Sequence, residues 1–345
     1  MTGKIATTTA SQLWFTAPFQ VEVRKVPLTA PGPGEVEVRT LFSAVSAGTE
    51  LLLYRGQLPP SMSLDSTLES LNRPAQYPVP FGYACVGEVQ RVGGEVDPAW
   101  IGTQVFSFQP PARHLSAQPP HLIALPGDIS AQSAVFLPNM ETAVNLVQDG
   151  QPMLGERVVV LGQGVVGLLL SGVLAQHPLA SLSAVEGQPQ RQRLALKMGA
   201  GTVCGPDEAA LPEHRQSARF DADLIYEVSG HPEALNLAVA LAGYTSRIVI
   251  GSWYGNKSVS VDLGGPAHRN RLQLITSQVS TLAPSLGGRW TKQRRFDVAW
   301  EMIRRLDPAQ LITHTVPLAD AGELYRQLHE QQADIVQPLF HYSIS

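Results

Sequence analysis

The segment Val158-Val159-Val160-Leu161-Gly162-Gln163-Gly164-Val165-Val166-Gly167-Leu168-Leu169-Leu170 sets three glycines in G-x-G-x-x-G spacing between a β-branched run and an apolar run. A phosphate-binding turn needs that spacing. Gly162 permits the tight turn, Gly164 leaves room for a pyrophosphate to approach the backbone, and Gly167 lets the following helix pack close to the strand. A helix opening at Val165 and Val166 would aim unsatisfied N–H groups at the anion. A second strand, Ser181 to Val185, ends at Glu186, nineteen residues beyond Gly167, where a carboxylate can accept hydrogen bonds from ribose hydroxyls. With these flanks the motif points to a nicotinamide dinucleotide rather than a bare βα turn. Its place in mid-chain also disfavours a flavin. Glu186 is followed by Gly187-Gln188-Pro189-Gln190 rather than a Ser/Arg pair, which favours NAD over NADP; Arg191 and Arg193 keep NADP open, since either could turn toward a 2′-phosphate. The expected cofactor-binding residues are Gly162, Gln163, Gly164, Val165, Val166, Gly167, Glu186 and Arg191, with Ser229, Ser252 and Trp253 beyond later strands.

The chain has 345 residues, enough for two domains with separate cores. Apolar residues make up 44%, charged residues 16%, and the net charge is −4, so no basic face invites nucleic acid or an anionic membrane. No run is long and apolar enough to span a bilayer, and Met1 to Ala10 lacks an apolar signal-like core, which predicts a cytoplasmic protein. Cys85 and Cys204 belong to no C-x-x-C pair or Cys/His cluster, so each reads as a buried small hydrophobe.

These groups must be carried by two kinds of scaffold. Residues 11 to 125 alternate apolar and polar in short runs, as in Val21-Glu22-Val23-Arg24, and predict a β-rich domain. Pro59 to Pro80 interrupts it as a Pro- and Ser-rich insertion, expected to be a surface loop or lid. Ala131 to Gln148 reads as one helix. Strands at Arg157 to Leu161, Ser181 to Val185, Thr202 to Cys204, Ala222 to Glu227, Ser246 to Ile250 and Leu272 to Val279 then alternate with helices at Arg191 to Met198 and His231 to Leu241. The fold class is α/β, a β-rich domain plus a doubly wound parallel-sheet Rossmann domain. The expected boundaries are 1–138 with 281–345 for the first domain and 139–280 for the second, the tail from Thr281 returning to the first.

Pro31-Gly32-Pro33-Gly34-Glu35-Val36, Ser46-Ala47-Gly48-Thr49-Glu50, Phe81-Gly82-Tyr83-Ala84-Cys85-Val86-Gly87-Glu88-Val89 and Gly102-Thr103-Gln104-Val105-Phe106 follow one another in the order seen in the GroES-like catalytic domain of the medium-chain dehydrogenase/reductase superfamily. The chain resembles that superfamily over nearly its whole length. Gly251-Ser252-Trp253-Tyr254-Gly255 and Ala267-His268-Arg269-Asn270-Arg271 further resemble the subgroup that includes the bacteriochlorophyllide hydroxyethyl dehydrogenases, though no residue reports a macrocycle pocket. The resemblance implies an NAD(P)-dependent oxidoreductase with a small-molecule substrate, and a homodimer built through the edge strand near Leu272 to Val279. It also exposes a departure. Where the zinc alcohol dehydrogenases place their three catalytic ligands, this chain has Ala47, Tyr83 and Pro138, with Ala84 in place of the usual Glu, so no metal is expected.

Without zinc, the oxygen left by hydride transfer needs another partner. By the same resemblance Tyr83 would stand at the reacting oxygen as donor or acid, or else fill the metal's space by packing alone. Thr49 matches the family's proton-relaying hydroxyl, and Glu50 would either hold an arginine or cap a helix. Glu141, beside Asn139, is either a base or a favourable first-turn acid. His268 is either structural or a proton carrier. The expected activity is zinc-independent interconversion of a secondary alcohol and a ketone. A quinone or enoyl C=C reductase and a non-catalytic NAD(P)-binding protein are the alternatives.

Overall fold

Short alternating runs give strands, and in a computed structural model of the chain, which describes residues 9–65, 67–211, 221–331 and 334–342, they assemble into two units. One is Met1–Pro138 with Ile312–Ser345; the other is Asn139–Leu311. No described helix is long and apolar enough to cross a membrane.

In the first unit, β1 (Thr9–Ala17) and β2 (Gln20–Pro27) form an antiparallel pair. A larger sheet contains β3 (Val36–Ala44), β4 (Cys85–Val92), β5 (Gln104–Ser107), β6 (His114–Ala117), β7 (Leu122–Ala124), β14 (Ile312–Pro317) and β15 (Gln337–His341). Val36, Val38, Cys85, Val89, Val105 and Leu115 form its core. Glu37 breaks the alternation because both faces of β3 are covered: its carboxylate accepts hydrogen bonds from Arg91 Nε at 2.6 Å and lies 2.9 Å from His114 Nδ1.

Two helices matter for the site. The first is α1 (Ala47–Tyr54) and the second, called α9 below, is Ala321–His329; they touch through stacked Tyr54 and Tyr325, whose ring centres are 5.6 Å apart. The insertion is packed down rather than left open. Leu64 N–H bonds Arg73 O and Ala75 N–H bonds Met62 O, burying Leu58, Leu64, Leu71 and Ala75. Its apolar residues are too sparsely spaced to announce that packing in the sequence.

The helical run expected from Ala131 divides into α2 (Ala131–Ala134) and α3 (Leu137–Gly150). Pro138 lacks an N–H and its ring would meet the carbonyl four residues back, so a helix restarts near it rather than running through.

In the second unit β8 (Arg157–Leu161), β9 (Ser181–Val185), β10 (Thr202–Cys204), β11 (Ala222–Glu227), β12 (Ala242–Ile250) and β13 (Gln273–Thr276) form one parallel sheet in the order β10-β9-β8-β11-β12-β13. The helices are α4 (Val165–Leu174), α5 (Pro189–Lys197), α6 (Pro206–Ala209), α7 (Ala234–Leu241) and α8 (Lys292–Leu306). The tail does not leave this unit at residue 281. Helix α8 buries Phe296, Ala299, Trp300 and Ile303, an i, i+3, i+4, i+7 stripe. Leu306 packs so close to α4 that a Cβ on Gly172 would lie 2.8 Å from its side chain. That contact keeps residues 281–311 with the parallel sheet, and the return comes at Ile312.

Candidate active site

Strands β8 and β11 are neighbours from which the sheet is built outward in opposite directions, so the crevice at their C-terminal ends is the place where a doubly wound sheet receives a ligand. Leu161 leads there into Gly162, whose φ of 93° favours glycine. A Cβ on Gly162 would lie 2.5 Å from Ser229 Cα, and one on Gly167 would lie 2.1 Å from Gly162 O. Both positions demand glycine on steric grounds. Gly164, the N-cap of α4, has nothing within 4 Å of its Cβ position, leaving open space before the first-turn N–H groups of Val165 and Val166. These features fit a dinucleotide pyrophosphate.

Glu186 ends β9 with its carboxylate tied to two backbone donors, Gln163 N–H at 2.8 Å and Gln188 N–H at 2.9 Å. Each oxygen keeps a lone pair for a ribose hydroxyl. Gln163 is fully buried and takes a hydrogen bond from Ser171 Oγ at 3.1 Å, so its side chain braces the loop. Arg191 lies in the first turn of α5; burial pulls its guanidinium below the usual range while Glu186 opposes that.

At the end of β11 the buried Glu227 carboxylate accepts Ser229 N–H at 2.8 Å, Ser229 Oγ–H at 2.5 Å and the Tyr254 hydroxyl. Ser252 Oγ accepts Gly230 N–H at 2.9 Å. Ser229, Ser252 and Trp253 thus stand on the two loops leaving β11 and β12, joined by Glu227 and Tyr254. Neither Glu227 nor Tyr254 stands out in the sequence as a site residue. A buried acid at a strand end carries no spacing signal.

In the first unit Tyr83 donates to Ser46 Oγ at 2.6 Å and has Thr49 as a second hydroxyl partner. Burial, reinforced by Glu50 and Asp65, pushes the phenol up to about 12, so it keeps its proton at neutral pH. Glu50 holds no arginine. One oxygen accepts the Ser46 N–H at 2.7 Å and the other the Tyr325 hydroxyl. Burial raises Glu50 to about 7, against the pull of these two bonds. Ser46 and Tyr325 complete this cluster. Ser46 opens the Ser46-Ala47-Gly48-Thr49-Glu50 segment, whereas Tyr325 arrives from a distant helix that no local pattern connects to it.

Two other candidates sit elsewhere. Glu141 is past the first turn of α3 and is buried against Arg295, with Arg295 Nε at 3.0 Å and Lys292 Nζ at 3.1 Å from one oxygen. Arg295, itself fully buried, also donates to Asn145 Oδ1 at 2.5 Å and Thr281 O at 3.2 Å. A carboxylate enclosed by two cations is a structural ion pair rather than a base. His268 is exposed and precedes β13, so it lies toward the N-terminal end of the sheet, opposite the glycine turn. That placement removes it from the nucleotide end.

A zinc ion does not suit the positions inherited from the metal-dependent pattern. Ala47 and Pro138 offer no side-chain donor, and Tyr83 is a protonated phenol already donating to Ser46. Among the described residues no group of three or more His, Cys, Asp or Glu is placed to hold a metal.

The fold is shared with solved dehydrogenases. A short chain alcohol dehydrogenase, rspB, from Escherichia coli CFT073 in complex with the cofactor NADH superposes with a TM-score of 0.78 at 19% identity, covering 96% of this chain and 99% of that one. The 2R,3R-butanediol dehydrogenase of Bacillus subtilis gives the same TM-score, identity and coverage. In sequence, the D-guloside 3-dehydrogenase of Escherichia coli strain K12 is 24% identical over 319 residues, 87% of this chain and 90% of that protein. No protein-family model matches the chain.

Proposed function

We propose that the chain is a medium-chain NAD(P)-dependent oxidoreductase that interconverts a secondary alcohol and a ketone without zinc, with NAD the preferred nucleotide. The observation that carries this reading is Tyr83, a phenol held protonated and hydrogen-bonded to Ser46 at the position where the related pattern puts a metal ligand. A bound nicotinamide supplies or accepts the hydride at C4. In ketone reduction the carbonyl carbon gains the hydride, the C=O π pair moves to oxygen, and the Tyr83 phenol gives that oxygen its proton. The proton on Tyr83 is then restored from solvent, with Thr49 as the adjoining hydroxyl. Alcohol oxidation runs the same transfers backward. The glycine turn receives the pyrophosphate, and Glu186 takes the adenosine ribose hydroxyls, of which NADP carries the 2′ one as a phosphate ester. The secondary-alcohol class is further supported by similarity to the butanediol and D-guloside dehydrogenases. Edge strand β13, with Leu274 exposed, suits pairing with a second copy.

The test joins metal analysis of protein purified without chelator to calorimetric titration with NADH and NADPH, then a panel of secondary alcohols and ketones. Metal-free protein that binds NADH more tightly and turns over the panel supports the proposal. Stoichiometric zinc required for turnover, or no binding of either nucleotide, overturns it.

A further inference from the structure

A serine at a helix N-cap ordinarily accepts an N–H from the first turn. Ser46 occupies that position on α1 and makes no such bond. Its own N–H is taken by Glu50, and its hydroxyl accepts the Tyr83 proton at 2.6 Å. Glu50 is locked in turn, being fully buried and bound by the Tyr325 hydroxyl, on a helix more than two hundred residues along the chain. Only the acid's half of a capping arrangement is therefore present: Glu50 secures the Ser46 N–H, and the Ser46 hydroxyl is engaged by Tyr83 instead of the first turn.

We infer that Ser46 is a positioning residue for the reaction's proton: Glu50 and Tyr325 hold the start of α1 so that the Ser46 hydroxyl fixes the orientation of the Tyr83 phenol. The inference rests on the alcohol–ketone reading. With no substrate bound, Ser46 accepts the phenol's only hydrogen. When a carbonyl oxygen binds, the phenolic O–H turns toward it and the Ser46 hydroxyl rotates to donate to the phenol oxygen, a bond that remains on the phenolate as the phenolic O–H breaks and the new O–H forms on the substrate. A hydroxyl can switch from acceptor to donor by rotation about one bond, so no backbone need move. Charge-assisted bonds of this kind are about twice as strong as neutral ones, which places the gain on the step where the phenol ionises.

The test compares Ser46→Ala, Ser46→Thr, Glu50→Ala and the double variant Ser46→Ala/Glu50→Ala in the full chain. Two quantities are read: steady-state kcat and KM, and ionisation of Tyr83 by ultraviolet difference absorbance, its signal identified by its disappearance in Tyr83→Phe. Ser46→Ala is expected to lower kcat about tenfold, the loss of one such bond, with the nucleotide KM unchanged and Tyr83 ionisation moved to higher pH. Ser46→Thr restores both. Glu50→Ala reproduces the Ser46→Ala effect, and the double variant is no worse than the weaker single, as expected for residues acting through one bond. Unchanged kcat and ionisation in Ser46→Ala, or failure of Ser46→Thr to restore them, overturns the inference. If wild type turns over no substrate, the functional reading fails and the catalytic role of Ser46 falls with it, whereas turnover with Tyr83 ionisation unmoved in Ser46→Ala overturns this inference alone.

Discussion

Replacing Glu50 with glutamine removes a buried ionisation while keeping most of its bonds, since the amide oxygen can still accept the Ser46 N–H and the amide nitrogen can face Tyr325. In the native protein Glu50 titrates at about 7 instead of the ordinary 4.5. A carboxyl whose folded-state value is raised holds its proton more tightly when folded, so stability is undiminished below the unfolded value and drains away as pH rises through the folded one. Each pH unit between the two is worth about 1.4 kcal/mol, so complete ionisation costs on the order of 3 kcal/mol. Because Glu50 is 0% exposed, solvent does not screen that cost away. Urea unfolding of wild type and Glu50→Gln at about pH 5 and about pH 8 measures it. The variant is expected to gain roughly 3 kcal/mol on wild type between those conditions. A gap between the two proteins that stays constant with pH would mean that Glu50 ionises as freely in the folded chain as in the unfolded one, and burial would then not hold its proton.

Tyr83→Phe should lower kcat by about 10²- to 10⁴-fold, as loss of a general acid does, with calorimetric NADH affinity unchanged. Gly164→Ala has nothing within 4 Å of the added methyl, so the melting temperature should hold while nucleotide affinity falls at least about tenfold. Gly162→Ala should lower the melting temperature as well, its methyl meeting Ser229 Cα at 2.5 Å. Arg295→Met strands the buried Glu141 beside Lys292 alone and should cost roughly 3–5 kcal/mol in urea unfolding, most of it recovered when Glu141→Gln is added.

The parallel sheet is legible in the sequence because strands covered on both faces are built from apolar and small residues: Arg157–Leu161 and Ser181–Val185 match their predicted bounds. β13 is shorter than the strand expected over Leu272 to Val279, since only Gln273–Thr276 pairs with β12. The packed insertion and the true end of the second unit are not legible locally. Each depends on a contact with a distant element, Ser70 Oγ to Phe108 O in one case and Leu306 against Gly172 in the other. The glycine turn is visible in the sequence because phosphate approach imposes spacing on one short stretch. The Glu50–Tyr325 bond joins residues 275 apart and imposes none. His268 and Glu141 show the converse, since residue type suggests chemistry for both while placement gives one to solvent and the other to an ion pair.

The buried Arg295 has a practical corollary for dissecting the molecule. It gathers the carbonyls of Val279 and Thr281, the amide of Asn145 and the carboxylate of Glu141 around one guanidinium. A fragment trimmed at residue 280, where the strand pattern stops, would leave that acid in an apolar interior without either of its cations and would strip α4 of the helix that covers it. The compact unit that holds the parallel sheet runs on to Leu311. Swapping this module between related chains calls for a cut after α8, beyond the last strand of its sheet.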